Sequence, residues 1–135
     1  MALKIDNKIF LSWDDVNSLV ENLCKKIVES DLNITSITGI ERGGLIPAVM
    51  ISHKLNIPYS YKITPTTLVV DDICDTGVTL RNTVAKYTAV LHHKPHTACF
   101  APSLYSGIHE GEEWIIYPWE RKDSTPVQDY LGDKK

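Results

Sequence analysis

Leu68-Val69-Val70-Asp71-Asp72-Ile73-Cys74-Asp75-Thr76-Gly77-Val78-Thr79-Leu80 is the stretch that decides how this chain is read. Three apolar residues run into two adjacent carboxylates. A third carboxylate, Asp75, opens a short loop that carries one glycine and two threonines. The pattern is that of a buried strand that ends in acid and turns into a helix. Open parallel sheets bind ligands at such turns. The first N–H groups of the helix have no partner within it, so they can hold a phosphate. Gly77 permits the tight turn and a close approach of main chain to an anion. Thr76 and Thr79 add hydroxyls. Asp71 and Asp72 do not suit a phosphate, because like charges repel. They suit the hydroxyls of a sugar or a hydrated magnesium ion. A strand-turn-helix with incidental acids is the weaker reading, because buried strand ends rarely carry adjacent carboxylates without a partner.

Around this stretch the chain is ordinary. Its 135 residues, 43% apolar and 23% charged, suffice for one domain with one core. A net charge of −3 argues against a broad nucleic-acid-binding face. Cys24, Cys74 and Cys99 are odd in number and lack metal-ligand spacing, which suits a reduced, intracellular setting. The N-terminus lacks the apolar run of a signal peptide. No stretch reaches the length of a membrane span.

Taken in order, Lys8–Leu11 reads as a short edge strand or an extended lead-in. Ser12 is a good N-cap for a helix over Trp13–Glu29, with Asp14 and Asp15 in its first turn. Val16, Leu19, Val20, Leu23, Ile27 and Val28 fall on one face as a core stripe. Asn33–Ile40 reads as the first parallel strand and Leu45–Leu55 as a helix, with Pro47 tolerated in its first turn. Between them, Arg42 offers a fixed positive charge, and Gly43 and Gly44 expose main-chain N–H groups, a combination that suits a pyrophosphate. Asn56–Ile63 reads as the second strand and Thr67–Val70 as the central one. A helix is expected over Thr79–Tyr87, then strands over Thr88–His93, within Cys99–Ile108 and over Trp114–Tyr117. Residues 121–135 read as a polar tail, leaving 1–120 as a single domain. Lys94, fixed between a strand and Pro95, could donate to a carbonyl oxygen or be a solvated side chain. Trp114 could stack on a planar base or belong to the core.

The central motif resembles the PRPP-binding motif of the type I phosphoribosyltransferases, PRPP being phosphoribosyl pyrophosphate. Most of the chain is similar to the bacterial xanthine–guanine branch of that family. Ile9-Phe10-Leu11-Ser12-Trp13-Asp14, Arg42-Gly43-Gly44-Leu45-Ile46-Pro47, the Asp71-Asp72 motif, Lys94-Pro95 and Trp114-Ile115 ahead of Pro118-Trp119 occur in the family's order. The resemblance implies an α/β, Rossmann-like fold, a mostly parallel sheet flanked by helices. It adds a small C-terminal base-binding hood, mainly 94–120. It implies transfer of ribose 5-phosphate from PRPP to guanine, xanthine or hypoxanthine with release of pyrophosphate, in cytoplasmic purine salvage with Mg2+. It implies a homo-oligomer, dimer or tetramer. PRPP would be bound by Arg42, Gly43, Gly44, Asp71, Asp72, Asp75, Thr76, Gly77, Val78 and Thr79, with Asp71 and Asp72 at the metal. The purine would be bound by Lys94, Trp114 and the main chain of Ile115, and Asp75 would be the general base.

Three features depart from the family. The long mobile loop before the Asp-Asp strand is reduced to about Thr64–Thr66, which leaves a weakly active or non-catalytic PRPP- or nucleotide-binding regulatory module as the alternative function. Glu41 places a carboxylate beside the pyrophosphate loop. His92, His93 and His96 flank Lys94 and read as strand-end surface or packing residues.

Overall fold

Four parallel strands in the order β3-β4-β5-β6 form the main sheet: β3 (Ser36–Gly39), β4 (Thr67–Cys74), β5 (Tyr87–His93) and β6 (Leu104–Ile108). The computed structural model describes residues 2–98, 100–121 and 123. The expectations for Cys99 and for most of the tail lie outside these. β4 is buried along Thr67–Val70, so its apolar run packs on both faces as a central parallel strand requires. The strand continues past the expected end at Val70. Asp71 pairs with Val90, Ile73 with His92 and Cys74 with His93.

Helix α1 (Trp13–Glu29) starts at a reciprocal cap, in which the Ser12 N–H donates to Asp15 Oδ2 (2.8 Å) and the Asp15 N–H to Ser12 Oγ (3.0 Å). Val16, Val20, Leu23, Cys24 and Ile27 bury its inner face, whereas Val28 is 65% exposed and leaves the predicted stripe. Helix α2 (Leu45–Leu55) joins β3 to β4 and buries Pro47, Ala48 and Ile51. Ala48 and Ile51 join Ile37, Leu68, Val70, Ala89 and Leu91 in the main core.

A second sheet, β1-β2-β7, combines a hairpin of β1 (Leu3–Ile5) and β2 (Lys8–Phe10) with β7 (Trp114–Ile116). β7 lies parallel to β2 with Lys8 opposite Trp114. Asp6 and Asn7 both take positive φ, 50° and 63°, which matches the twist that a two-residue hairpin loop needs.

Two expected elements are corrected. Asn56–Ile63 is not a strand. It meets the sheet through one bridge, Ile37 with Tyr59, flanked by Ile37 N–H to Pro58 O (3.0 Å) and Ser60 N–H to Ile37 O (2.9 Å). The expected helix over Thr79–Tyr87 is only α3 (Val78–Asn82), because Thr83 turns extended and its hydroxyl donates to Leu80 O (2.7 Å). Among the described residues no helix is long and apolar enough to cross a membrane.

Candidate active site

All four strands of the main sheet are parallel, so their carboxyl ends share one edge. The loops after them, Ile40–Gly44, Asp75–Gly77, Lys94–Ala98 and the segment that leads into β7, therefore meet there. This edge is where parallel sheets build sites. It receives every candidate residue read from the sequence.

The Arg42-Gly43-Gly44 loop is seated on the end of β4. A Cβ on Gly44 would collide with Val70 O and come within 2.8 Å of Ile40 O; one on Gly43 would collide with the Asp72 carboxylate. Only glycine allows the loop this close to the acidic pair. The Glu41–Arg42 peptide is cis. Glu41 and Arg42 are both exposed, so the carboxylate beside the loop is solvated.

Asp71 and Asp72 are consecutive in a strand, so their side chains leave on opposite faces. Each is half-buried, and each accepts, at 2.8 Å, the N–H of the residue that follows it. They do not form a cage. Among the described residues no group of three or more His, Cys, Asp or Glu could hold a metal. Two separated carboxylates fit a magnesium ion that arrives with substrate phosphates and keeps its waters better than a resident ion.

Gly77 has φ 83° and sits against Phe100, whose Cβ would lie 2.9 Å from an added Cβ. Conformation and space both call for glycine there. The Thr76 hydroxyl accepts from the Val78 N–H at 3.3 Å. α3 is only five residues long, so an anion at this loop would be held mainly by the loop's own N–H and hydroxyl groups.

Asp75 does not face solvent. It is 5% exposed, its Oδ1 accepts from Thr97 Oγ1 (2.9 Å), and Lys94 Nζ lies 3.4 Å from the same oxygen. Oδ2 is buried without a hydrogen-bond partner. The Thr97 hydroxyl also lies 2.8 Å from Asp75 O. Thr97 sits in the turn after β5, where the N–H of Ala98 bonds to Lys94 O (3.0 Å). The motif loop and the Lys-Pro turn are thereby tied together.

Lys94, Trp114 and Ile115 line one narrow cavity of about 30 Å³, and Asp72, Ile73 and Tyr117 form more of its wall. That volume is room for about one water, so a purine could enter only if the walls part. His109, Glu113 and Glu120 complete the lining. Trp114 Nε1 is buried and has no partner. Tyr117 fixes the hood to the sheet. Its hydroxyl donates to Asp72 O (3.2 Å) and lies 2.9 Å from His92 Nδ1, which is then the donor to the phenol oxygen. Burial pushes the Tyr117 phenol well above its usual range, and the charges of Asp72, Glu120 and Asp71 add to this. Burial, with a smaller contribution from His109, holds His92 down to about 4. His93 is buried against the Tyr105 ring, while His96 is exposed.

The sequence reading did not single out Thr97, His109, Glu113, Tyr117 or Glu120 as site residues. Tyr117 falls at a variable place within the Trp114–Trp119 stretch, and the others lie outside the motifs. Thr97 reaches Asp75 across 22 positions and Tyr117 reaches Asp72 across 45.

No protein-family model matches the chain. Similar curated proteins are the xanthine-guanine phosphoribosyltransferases of Chromohalobacter salexigens and Idiomarina loihiensis. The first is 28% identical, over 82% of this chain and 82% of its own. The second is 26% identical, over 89% and 91%. Among solved structures, the purine phosphoribosyltransferase of Pyrococcus horikoshii Ot3 superposes with a TM-score of 0.73 at 29% identity, covering 90% of this chain and 99% of that one. The xanthine-guanine-hypoxanthine phosphoribosyltransferase of Helicobacter pylori, at 20% identity, gives 0.70 and supports the fold alone. The chain has the type I phosphoribosyltransferase fold, as its central motif led one to expect. Within that class its sequence relatives are the xanthine-guanine phosphoribosyltransferases, enzymes of the transferase class.

Proposed function

We propose that this protein transfers ribose 5-phosphate from PRPP to a 6-oxopurine, namely guanine, xanthine or hypoxanthine, and releases pyrophosphate. The observation that carries the reading is the shared cavity of Lys94, Trp114 and Ile115 at the acidic end of β4. A purine held there would lie next to a ribose on the Asp71–Asp72 strand end. Lys94 would donate to the 6-oxo group, which adenine lacks. Trp114 would cover the ring face, and the main chain of Ile115 would meet the 2-position. The loop Asp75–Thr79 would anchor the 5-phosphate, and Arg42, Gly43 and Gly44 the pyrophosphate.

In this reading the attacked carbon gains oxocarbenium character as pyrophosphate leaves. Arg42 stabilises the charge that develops on the leaving group. Magnesium carried by the diphosphate would add to that charge neutralisation, and Asp71 and Asp72 are the residues that would meet it. Much of the rate gain would come from positioning. Asp75 Oδ2 is the acceptor left to take a ring proton, while Oδ1 is held by Thr97 and Lys94. We take 1–120 as a single domain with a base-binding hood mainly from 94–120. We expect a cytoplasmic, homo-oligomeric enzyme of purine salvage.

A second reading, a PRPP- or nucleotide-binding module without transfer, is favoured by one observation. Residues 56–66 are all that joins α2 to β4, and Tyr59 among them is bridged to Ile37 of the sheet, which leaves a short span to close over the site. Turnover separates the two. The protein is incubated with PRPP, magnesium and each of guanine, xanthine, hypoxanthine and adenine, and nucleotide and pyrophosphate are followed separately. Nucleotide from 6-oxopurines and none from adenine supports the enzyme. Pyrophosphate without nucleotide means loss of the reactive sugar to water. Neither product from folded protein leaves the binding module.

A further inference from the structure

Tyr117 follows β7, is 1% exposed and belongs to the main core. Its ring stacks on Trp119, with centroids 4.9 Å apart and planes within 5°. Packing of this kind needs only a ring. The hydroxyl is a polar group added to the core, and it is costly there unless it is bonded. Both of its partners belong to the main sheet. The hydroxyl donates to Asp72 O in β4 (3.2 Å), and His92 Nδ1 in β5 lies 2.9 Å from the phenol oxygen. A phenol has one proton and a carbonyl oxygen has none. The phenol proton therefore lies toward Asp72, and His92 supplies the other as its Nδ1–H tautomer. The chain from His92 to Tyr117 to Asp72 runs one way.

Asp72 sits where the sheet stops supporting β4 on one side. β3 ends at Gly39, opposite Val70, and Val70 O accepts the Ile40 N–H at 2.9 Å. Asp71 and Asp72 come after that point. The Tyr117 hydroxyl gives Asp72 O a donor where the neighbouring strand has run out. The Asp72 side chain then reaches the Arg42-Gly43-Gly44 loop. A Cβ added to Gly43 would collide with its carboxylate and come within 2.7 Å of its carboxyl carbon. One main-chain oxygen thus joins Tyr117 to the carboxylate that lies against this loop.

We propose that Tyr117, aimed by His92, is a positioning residue for the PRPP end of the site: its hydroxyl sets the Asp72 peptide, and with it the carboxylate that faces the pyrophosphate loop. The inference rests on the PRPP-binding reading above, which the enzyme and the binding module share. Without the donor, the Asp72 peptide is free to turn and its carboxylate shifts against Gly43. Sites that act by positioning are sensitive to small displacements of this kind. The residue lies beside the segment expected to meet the base, yet its loss acts on the other substrate.

The test is calorimetric titration of the folded protein with PRPP and magnesium, with no purine present, so that no turnover is needed. Tyr117→Phe keeps the ring and deletes the donor. It should weaken PRPP–magnesium about fivefold, the size of one lost hydrogen bond. His92→Phe keeps the hydroxyl and removes the N–H that aims it, and should weaken the same ligand about twofold. In turnover, Tyr117→Phe should raise KM for PRPP in step with the dissociation constant, while KM for the purine stays within about twofold. Unchanged PRPP–magnesium binding in Tyr117→Phe would overturn the proposal, as would unchanged binding in His92→Phe if the first variant does not fold. Equal rises in the two KM values would overturn it too, since the hydroxyl would then serve only the packing of the Trp114–Trp119 segment. Failure of the wild-type protein to bind PRPP–magnesium would instead overturn the PRPP reading, and this inference with it.

Discussion

Lys94 Nζ lies 3.4 Å from Asp75 Oδ1, and both side chains are about nine-tenths buried. The pair joins the residue expected to touch the base to the loop expected to hold the phosphate. A buried pair of this kind is weak evidence of net stabilisation, yet removing one partner leaves the other charge uncompensated. Asp75→Ala should therefore lower the free energy of unfolding in urea by about 3 kcal/mol. Adding Lys94→Met should restore part of that loss, since the stranded charge is gone. A single variant within about 0.5 kcal/mol of wild type would show that the contact does not persist in solution. In turnover, Asp75→Ala should reduce rate far more than PRPP affinity; equal losses in both would remove its assignment as base.

Thr97 supplies a separate expectation. Its hydroxyl holds Asp75 Oδ1 at 2.9 Å, and through Asp75 it sets where Lys94 rests. Thr97→Val keeps the shape and deletes the donor. A lost hydrogen bond of this kind is worth about 1 kcal/mol, or roughly fivefold. KM for the purine should rise by about that factor while KM for PRPP stays within twofold, and Thr97→Ser should restore it. A parallel rise in both constants would mean that the hydroxyl serves the fold rather than the base.

The two glycines of the pyrophosphate loop should behave differently. An added Cβ on Gly44 meets main-chain atoms, which cannot step aside. Gly44→Ala is expected to destabilise by about 2 kcal/mol or more. On Gly43 the new atom meets the end of the Asp72 side chain, which can rotate. Gly43→Ala should cost under about 1 kcal/mol and still weaken PRPP–magnesium binding, because the carboxylate has moved. Urea unfolding and calorimetry on the same two proteins would distinguish these outcomes.

Burial of neutral His92 makes stability depend on pH. Its folded pKa is about 4 against an ordinary 6.5, so the unfolded chain binds the proton more readily between those values. Stability from this group is complete above pH 6.5 and is lost as pH falls toward 4. At about 1.36 kcal/mol per pH unit the ceiling is about 3 kcal/mol. His92→Phe should flatten the stability slope between pH 7 and 4.5 relative to wild type. An unchanged slope would mean that another group governs acid unfolding.

Much of this architecture was readable because neighbours along the chain carry it. β4 announces itself as an apolar run bounded by Asp71 and Asp72, and α1 through Ser12 and its buried stripe. The hairpin β1-β2 went unread although Asp6-Asn7 lies between two three-residue strands, a two-residue turn signal that was available. Asn56–Ile63 was misread because Ile57, Tyr59 and Ile63 suggest a strand, while Tyr61 is 89% exposed and the sheet offers it only one bridge. α3 ends early because Thr83 caps Leu80, a local competition that apolar spacing does not reveal. The site was legible where a loop carries it, as at Arg42-Gly43-Gly44 and Asp75–Thr79. Its supporting contacts were not, since Thr97, Tyr117 and Glu120 reach the site through tertiary packing.

The most direct test of the account is a crystal structure of the protein with GMP. The account places the phosphate on the loop Asp75–Thr79 and the ribose hydroxyls at Asp71 and Asp72. The guanine should lie against Trp114 in a widened cavity, with its 6-oxo group within hydrogen-bond reach of Lys94 Nζ. A phosphate seated away from that loop, or a base outside the cavity of Lys94 and Trp114, would contradict it.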